Sequence, residues 1–140
     1  MRAVVTGGAG FVGTNLVSAL LARGDSVTLV DDFSSGYRDN LRLVPGARVL
    51  EGDIREEALV AEALVGAQVV FHLAASVGNK RSIDDPRHDS DVNVLGTVNV
   101  LEAARKGGVE KIIVASSAGI FGELGEMPIG EDHPTQPQSP

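Results

Sequence analysis

Apolar residues gather into five short runs, and between the runs they recur every three or four positions. Arg2 to Thr6 contains Ala3, Val4 and Val5; the later runs are Ser26 to Val30, Arg48 to Glu51, Gln68 to Leu73 and Lys111 to Ala115. Runs of this length, rich in β-branched residues, predict strands, and the unbroken Val69-Val70-Phe71 predicts burial on both faces. Phe11, Val12, Leu16, Val17, Leu20 and Leu21 fall at helical spacing up to the stop signal at Gly24. Further helices are predicted over Glu56 to Leu64 and from about Asp89 to Lys106, the latter stopping at Gly107-Gly108. Strands alternating with helices in this way predict an α/β fold, a doubly wound parallel sheet with right-handed crossovers. Beyond Gly122 the pattern gives way to Pro128, Pro134, Pro137 and Pro140, which predict a loop or extended tail.

The first strand runs directly into Thr6 to Gly13, TGGAGFVG, and the first helix pattern starts there. Gly8, Gly10 and Gly13 spell G-x-G-x-x-G, and Gly7, Gly10 and Gly13 spell G-x-x-G-x-x-G. On either reading the glycines allow a tight turn, a close backbone approach to a pyrophosphate, and close packing of helix on strand. The pyrophosphate would rest on the unpaired N–H groups at the positive end of the helix. The second strand ends at Asp31, near the roughly 20-residue offset of the acid that accepts hydrogen bonds from the adenosine ribose. A carboxylate there repels the 2′-phosphate of NADP, and the next basic residue is Arg38, so NAD is the expected cofactor.

Length and charge narrow the classes. A chain of 140 residues buries roughly two-thirds of its unfolded surface, enough for one ordinary core. The absence of cysteine rules out disulfides and thiolate metal sites and suits a reducing cytoplasm. With 12 basic and 19 acidic residues the net charge is −7, which argues against nucleic acid or an anionic membrane as partner. No apolar run approaches the roughly 18 residues of a membrane span, and a cytoplasmic, soluble protein is expected.

Open parallel sheets bind ligands at the carboxyl ends of their strands. Asp53, after the third strand, is either an adenine-side carboxylate beside Ile54 or a helix N-cap for the segment from Arg55. Ala74 and Ala75, after the fourth, either let backbone approach the cofactor or simply pack closely. His72 reads as a satisfied core histidine, and His88 and His133 have no partner at metal-ligand spacing, so no metal site is expected. Ser117, after the fifth strand, is either a hydrogen-bonding group for substrate or a turn residue. Lys80 and Arg81, in the loop Ser76 to Pro86, either touch a substrate phosphate or are solvated charges.

Together these segments resemble the extended short-chain dehydrogenase/reductases, and among them the NAD-dependent nucleotide-sugar epimerases and dehydratases. The likeness is carried by TGGAGFVG, VDDFSSG at Val30 to Gly36, EGDIRE at Glu51 to Glu56, HLAA at His72 to Ala75, DVNVLGTVNVLEAAR at Asp91 to Arg105, and SSAGIFG at Ser116 to Gly122. It implies a Rossmann-like domain in which Gly7 and Gly10 shape the phosphate turn, and Phe11 and Val12 cover the pyrophosphate. It implies that Asp31 holds the ribose and that the loop Asp32, Phe33, Ser34, Ser35 and Gly36 continues the cofactor site. Asp53 and Ile54 would flank the adenine, Leu73, Ala74, Ala75 and Ser116 would line the nicotinamide side, and Ser117 would be the catalytic serine.

The resemblance has two departures. Ile120 and Phe121 stand where the pattern S-S-x-x-V-Y-G has Val and Tyr, and the Y-x-x-x-K pair is missing, since the only tyrosine, Tyr37, has Leu41 four residues on. Thr135 to Pro140 resembles the stretch that precedes that tyrosine. Residues 1–140 are therefore expected to be an incomplete NAD-binding domain ending just before it, without the sugar-nucleotide domain and inactive in isolation. The activity implied is transient oxidation of a UDP-hexose by a 4-epimerase. The alternatives are a 4,6-dehydratase or a reductase of the same family, and Ala118-Gly119 after Ser117 tilts toward an epimerase or reductase and away from the dehydratase; a non-catalytic NAD-binding module is the other reading. A homodimer is implied through the helix of Asp89 to Lys106, whose apolar positions could equally all be spent on the sheet.

Overall fold

The computed structural model describes residues 1–125 and 127–139. Five parallel strands, β1 (Arg2–Thr6), β2 (Ser26–Asp31), β3 (Arg48–Glu51), β4 (Val69–His72) and β5 (Lys111–Val114), form one sheet in the order β3-β2-β1-β4-β5. β1 lies at the centre and is buried on both faces. Val4 joins a core with Val30, Val60, Leu64, Val70 and Val100, while Ala3 and Val5 join the opposite core with Val17, Leu20 and Leu29. Helix α1 (Phe11–Ala22) covers the second of these faces, and α2 (Glu57–Ala63) and α5 (Thr97–Gly107) cover the first.

The predicted strands and the first two helices lie within one or two residues of their expected bounds. The region from Ser76 to Lys106 differs. The expected loop contains a short helix, α3 (Asn79–Asp84), and the expected long helix begins three residues early as α4 (Pro86–Ser90) and widens to a π-helical turn over Asp91–Gly96 before α5. Helices of five or six residues are too short to display a period. Local chemistry builds them instead: Pro86 takes the first position of α4, and the Asp85 carboxylate accepts from the His88 N–H at 3.0 Å.

The chain crosses from β3 to β4 past β2 and β1, so the connections leave β1 in opposite directions. Such a switch point opens a crevice at the carboxyl edge of the sheet. The register, Thr6 beside Val30 on one side and His72 on the other, brings Gly7, Asp31 and Leu73 to one level there.

Candidate functional site

A cleft opens at this edge. Its floor is Gly7 and Val30, one wall is Asp31, Asp32 and Ser34, and the far end is Gly52, Asp53 and Ile54. The opposite wall is Ala74, Ala75 and Ser76, rimmed by Arg81, His88 and Val92.

The glycine turn is held by contacts that leave no room for side chains. Gly7 has φ +69°, and a Cβ there would lie 2.7 Å from the Ala74 nitrogen; one on Gly13 would lie 2.2 Å from the Gly7 carbonyl oxygen. A Cβ on Gly8 would lie 2.3 Å from Cγ of the buried Leu29 and 3.2 Å from the Val5 carbonyl oxygen. The tightest backbone contacts are therefore at Gly7 and Gly13; a Cβ on Gly10 would meet only the Gly7 carbonyl oxygen, at 3.3 Å. Phe11 and Val12, at the start of α1, are exposed and lie outside the cleft lining.

Asp31 is buried at the end of β2, where its Oδ2 accepts from the Ala9 N–H and its Oδ1 from the Phe33 N–H, both at 2.9 Å. Each oxygen keeps a lone pair for a further donor. Gly36 packs behind it, within reach of Ala9 and the Asp31 carboxylate. Phe33, φ +58°, turns into the core under the guanidinium of Arg38, 4.2 Å from its ring centre. Arg38 in turn grips Glu51 with both terminal nitrogens, which lowers the Glu51 carboxyl below its ordinary pKa. Ser35 is exposed and lines no part of the cleft.

Asp53 is no N-cap. Glu56 holds that position on α2, while the Asp53 carboxylate accepts from the backbone and side chain of Arg55, whose guanidinium holds its pKa low. Ile54 is buried between sheet and α5, in the notch that a side chain on Gly96 would fill. Lys80 and Arg81 sit on α3 rather than in a loop; Lys80 pairs with Asp84, and Arg81 borders the cleft. Leu73 packs with the α1-side core. Ser116 and Ser117 follow β5, exposed and outside the cleft lining, and the Ser117 Oγ accepts from the Gly119 N–H at 3.1 Å, capping a short 3-10 turn.

The residues fit a dinucleotide: a turn whose space a Cβ would close, a buried carboxylate with spare acceptor capacity, and, on the cleft-lining Ser76, a buried hydroxyl with no hydrogen-bond partner among the described residues. The family model described as the NAD dependent epimerase/dehydratase family matches residues 3–140. The chain belongs to this family. It is 44% identical over its whole length to the UDP-glucose 4-epimerase of Mycolicibacterium smegmatis and spans 46% of that enzyme. Family structures agree with the fold. The Thermus thermophilus UDP-glucose 4-epimerase in complex with NAD is 41% identical, with a TM-score of 0.91 over 99% of this chain and 45% of its own. DesIV, a dTDP-glucose 4,6-dehydratase of Streptomyces venezuelae solved with NAD, is 35% identical with a TM-score of 0.90 over 99% of this chain and 46% of its own. The chain thus spans less than half the length of these relatives.

Ser76, Arg81, His88 and Val92 border the cleft without having been singled out as cofactor residues from sequence. Val92 lies in the segment Asp91 to Arg105 and Arg81 is a sequence candidate for contact with a substrate phosphate, while Ser76 and His88 carry no signal beyond their position after β4.

Proposed function

We propose that this chain is the cofactor-binding part of an NAD-dependent nucleotide-sugar epimerase that acts on a UDP-hexose at C4. Asp31 is the observation that carries the reading: one buried carboxylate, aimed along the cleft from the end of β2, suits the paired hydroxyls of an adenosine ribose and repels a 2′-phosphate. Arg38, the next basic residue along the chain after Asp31, is bound to Glu51. The bound cofactor supplies the oxidation of the sugar carbon and its reversal. The glycine turn and the amides that open α1 seat the diphosphate, and Asp53 with Ile54 borders the adenine end. Ser117 uses its oxygen to accept from Gly119, which leaves its proton to donate to a sugar oxygen. The similarity to UDP-glucose 4-epimerases favours epimerisation over dehydration.

Calorimetric titration tests the cofactor assignment: the 140-residue chain should bind NAD saturably and NADP at least about tenfold more weakly, as expected for a phosphate set against a carboxylate. Equal affinities would sink the assignment of Asp31. The proposal includes a homodimer. Val94, Leu95, Val98 and Leu101 form an exposed apolar stripe along the π-helical turn and α5, facing away from the sheet. Sedimentation should show a dimer that Val98→Glu with Leu101→Glu dissociates; a monomeric parent chain would refute it.

A further inference from the structure

The same helical segment that carries the outer stripe sends two side chains inward, Asn93 and Thr97, one helical turn apart. The Thr97 hydroxyl donates to the Asn93 carbonyl at 2.7 Å, so toward the His72 Nε2, 2.9 Å away, it can only accept. His72 must then carry its proton on Nε2, which leaves Nδ1 to accept from the Thr6 hydroxyl at 2.7 Å. The Thr6 hydroxyl oxygen, its own proton committed, accepts from the Ala74 N–H at 3.2 Å and shares the Leu73 N–H, also at 3.2 Å, with the Thr6 carbonyl 3.1 Å from it. Every donor and acceptor in this buried line is used, and the direction is the same from helix to cleft wall.

The wall is pinned again three residues on. Asn93 accepts from the Ser76 N–H at 2.8 Å and donates to its carbonyl at 3.0 Å, while Asp89 accepts from the same Asn93 amide at 3.0 Å. Leu73 to Ser76 is thereby held at both ends by one face of one helical segment. Its placement is critical, because the Ala74 nitrogen would stand 2.7 Å from a Cβ on Gly7, on the floor of the cleft.

We propose that Thr97 and His72 are positioning residues for the cofactor: by ordering the line from Asn93 to Thr6 they set the Leu73–Ala74 amides, and with them the width of the cleft, without touching the ligand. The proposal rests on the cofactor reading of the cleft given above. Burial pushes the His72 imidazole below its ordinary pKa, which keeps it neutral as this line requires.

The test compares Thr97→Val, which keeps the shape and removes the hydroxyl, with Thr97→Ser, which keeps the hydroxyl. NAD affinity and unfolding stability are measured on each folded 140-residue chain, together with amide exchange at Leu73 and Ala74 and the nitrogen NMR shifts of His72 in the parent. The expected result is that T97V binds NAD about tenfold more weakly and loses protection at Ala74 but not at Leu73, which keeps its bond to the Thr6 carbonyl, while T97S stays within about twofold of the parent. An unchanged affinity in T97V, whatever its stability, overturns the proposal, as does a His72 proton on Nδ1 in the parent chain. Should T97V fail to fold, the His72 tautomer decides. Failure of the folded parent chain to bind NAD refutes the cofactor reading instead; Ala74 protection lost in T97V then still supports the line of hydrogen bonds, and unchanged protection there overturns it.

Discussion

Gly13→Ala is expected to abolish NAD binding and to cost about 3 kcal/mol of stability, at the upper end for an overpacked site. The added methyl would stand 2.2 Å from the Gly7 carbonyl oxygen and 2.7 Å from the Gly8 Cα, and both are backbone atoms. Relief requires α1 to lift from β1 or the turn to slide toward Ala74. The first move opens the packing of Val17 and Leu20 against Val5 and Leu29; the second narrows the cleft floor. Gly10→Ala is the milder companion, since its methyl would meet only the Gly7 carbonyl oxygen, at 3.3 Å. Denaturant unfolding with NAD titration checks the pair. Parent-like affinity in Gly13→Ala would show that the turn does not seat the diphosphate.

Asp31→Asn is expected to weaken NAD binding by about 100-fold, the scale of losing charge-assisted hydrogen bonds to two ribose hydroxyls. Asparagine matches the shape of aspartate but replaces one acceptor oxygen with a donor. Ala9 and Phe33 both present N–H groups to the carboxylate, so one amide would face the new NH2 and lose its partner. An unsatisfied buried amide costs about 1–3 kcal/mol, and a drop in unfolding free energy of that order should accompany the affinity loss. NADP should lose less, because the repulsion of its 2′-phosphate disappears with the charge. A variant that keeps NAD affinity would move the ribose contact elsewhere on the cleft wall.

The glycine turn and Asp31 were legible in the sequence because one βαβ unit builds both, and its spacing is set by the length of a strand and a helix. β1 was legible because its apolar run is buried on both faces. His72 read as a satisfied core histidine, and it is one, but its partners were out of reach of any pattern. Thr6 lies 66 residues away and Thr97 25 residues away, joined only once β1 pairs with β4 and α5 docks on the sheet. The strand order is equally invisible, since alternation of strands and helices predicts parallel pairing without saying which strands are neighbours. Asp53 shows the opposite limit: an acid before a helix pattern reads as a cap, yet Arg55, two residues on, captures it first.

The tethering of Asp31 bears on the entropy of association. Holding a mobile side chain still on binding costs about 0.5–1.5 kcal/mol, and a loop costs more. Here both carboxylate oxygens are already fixed by backbone N–H groups, and the facing wall, Leu73 to Ser76, is tied at each end. A ligand held by Asp31 would find that carboxylate and the backbone of the facing wall already ordered. The ordering is settled when the chain folds, so the affinity of the adenosine half reflects contact energy with little conformational loss to offset it.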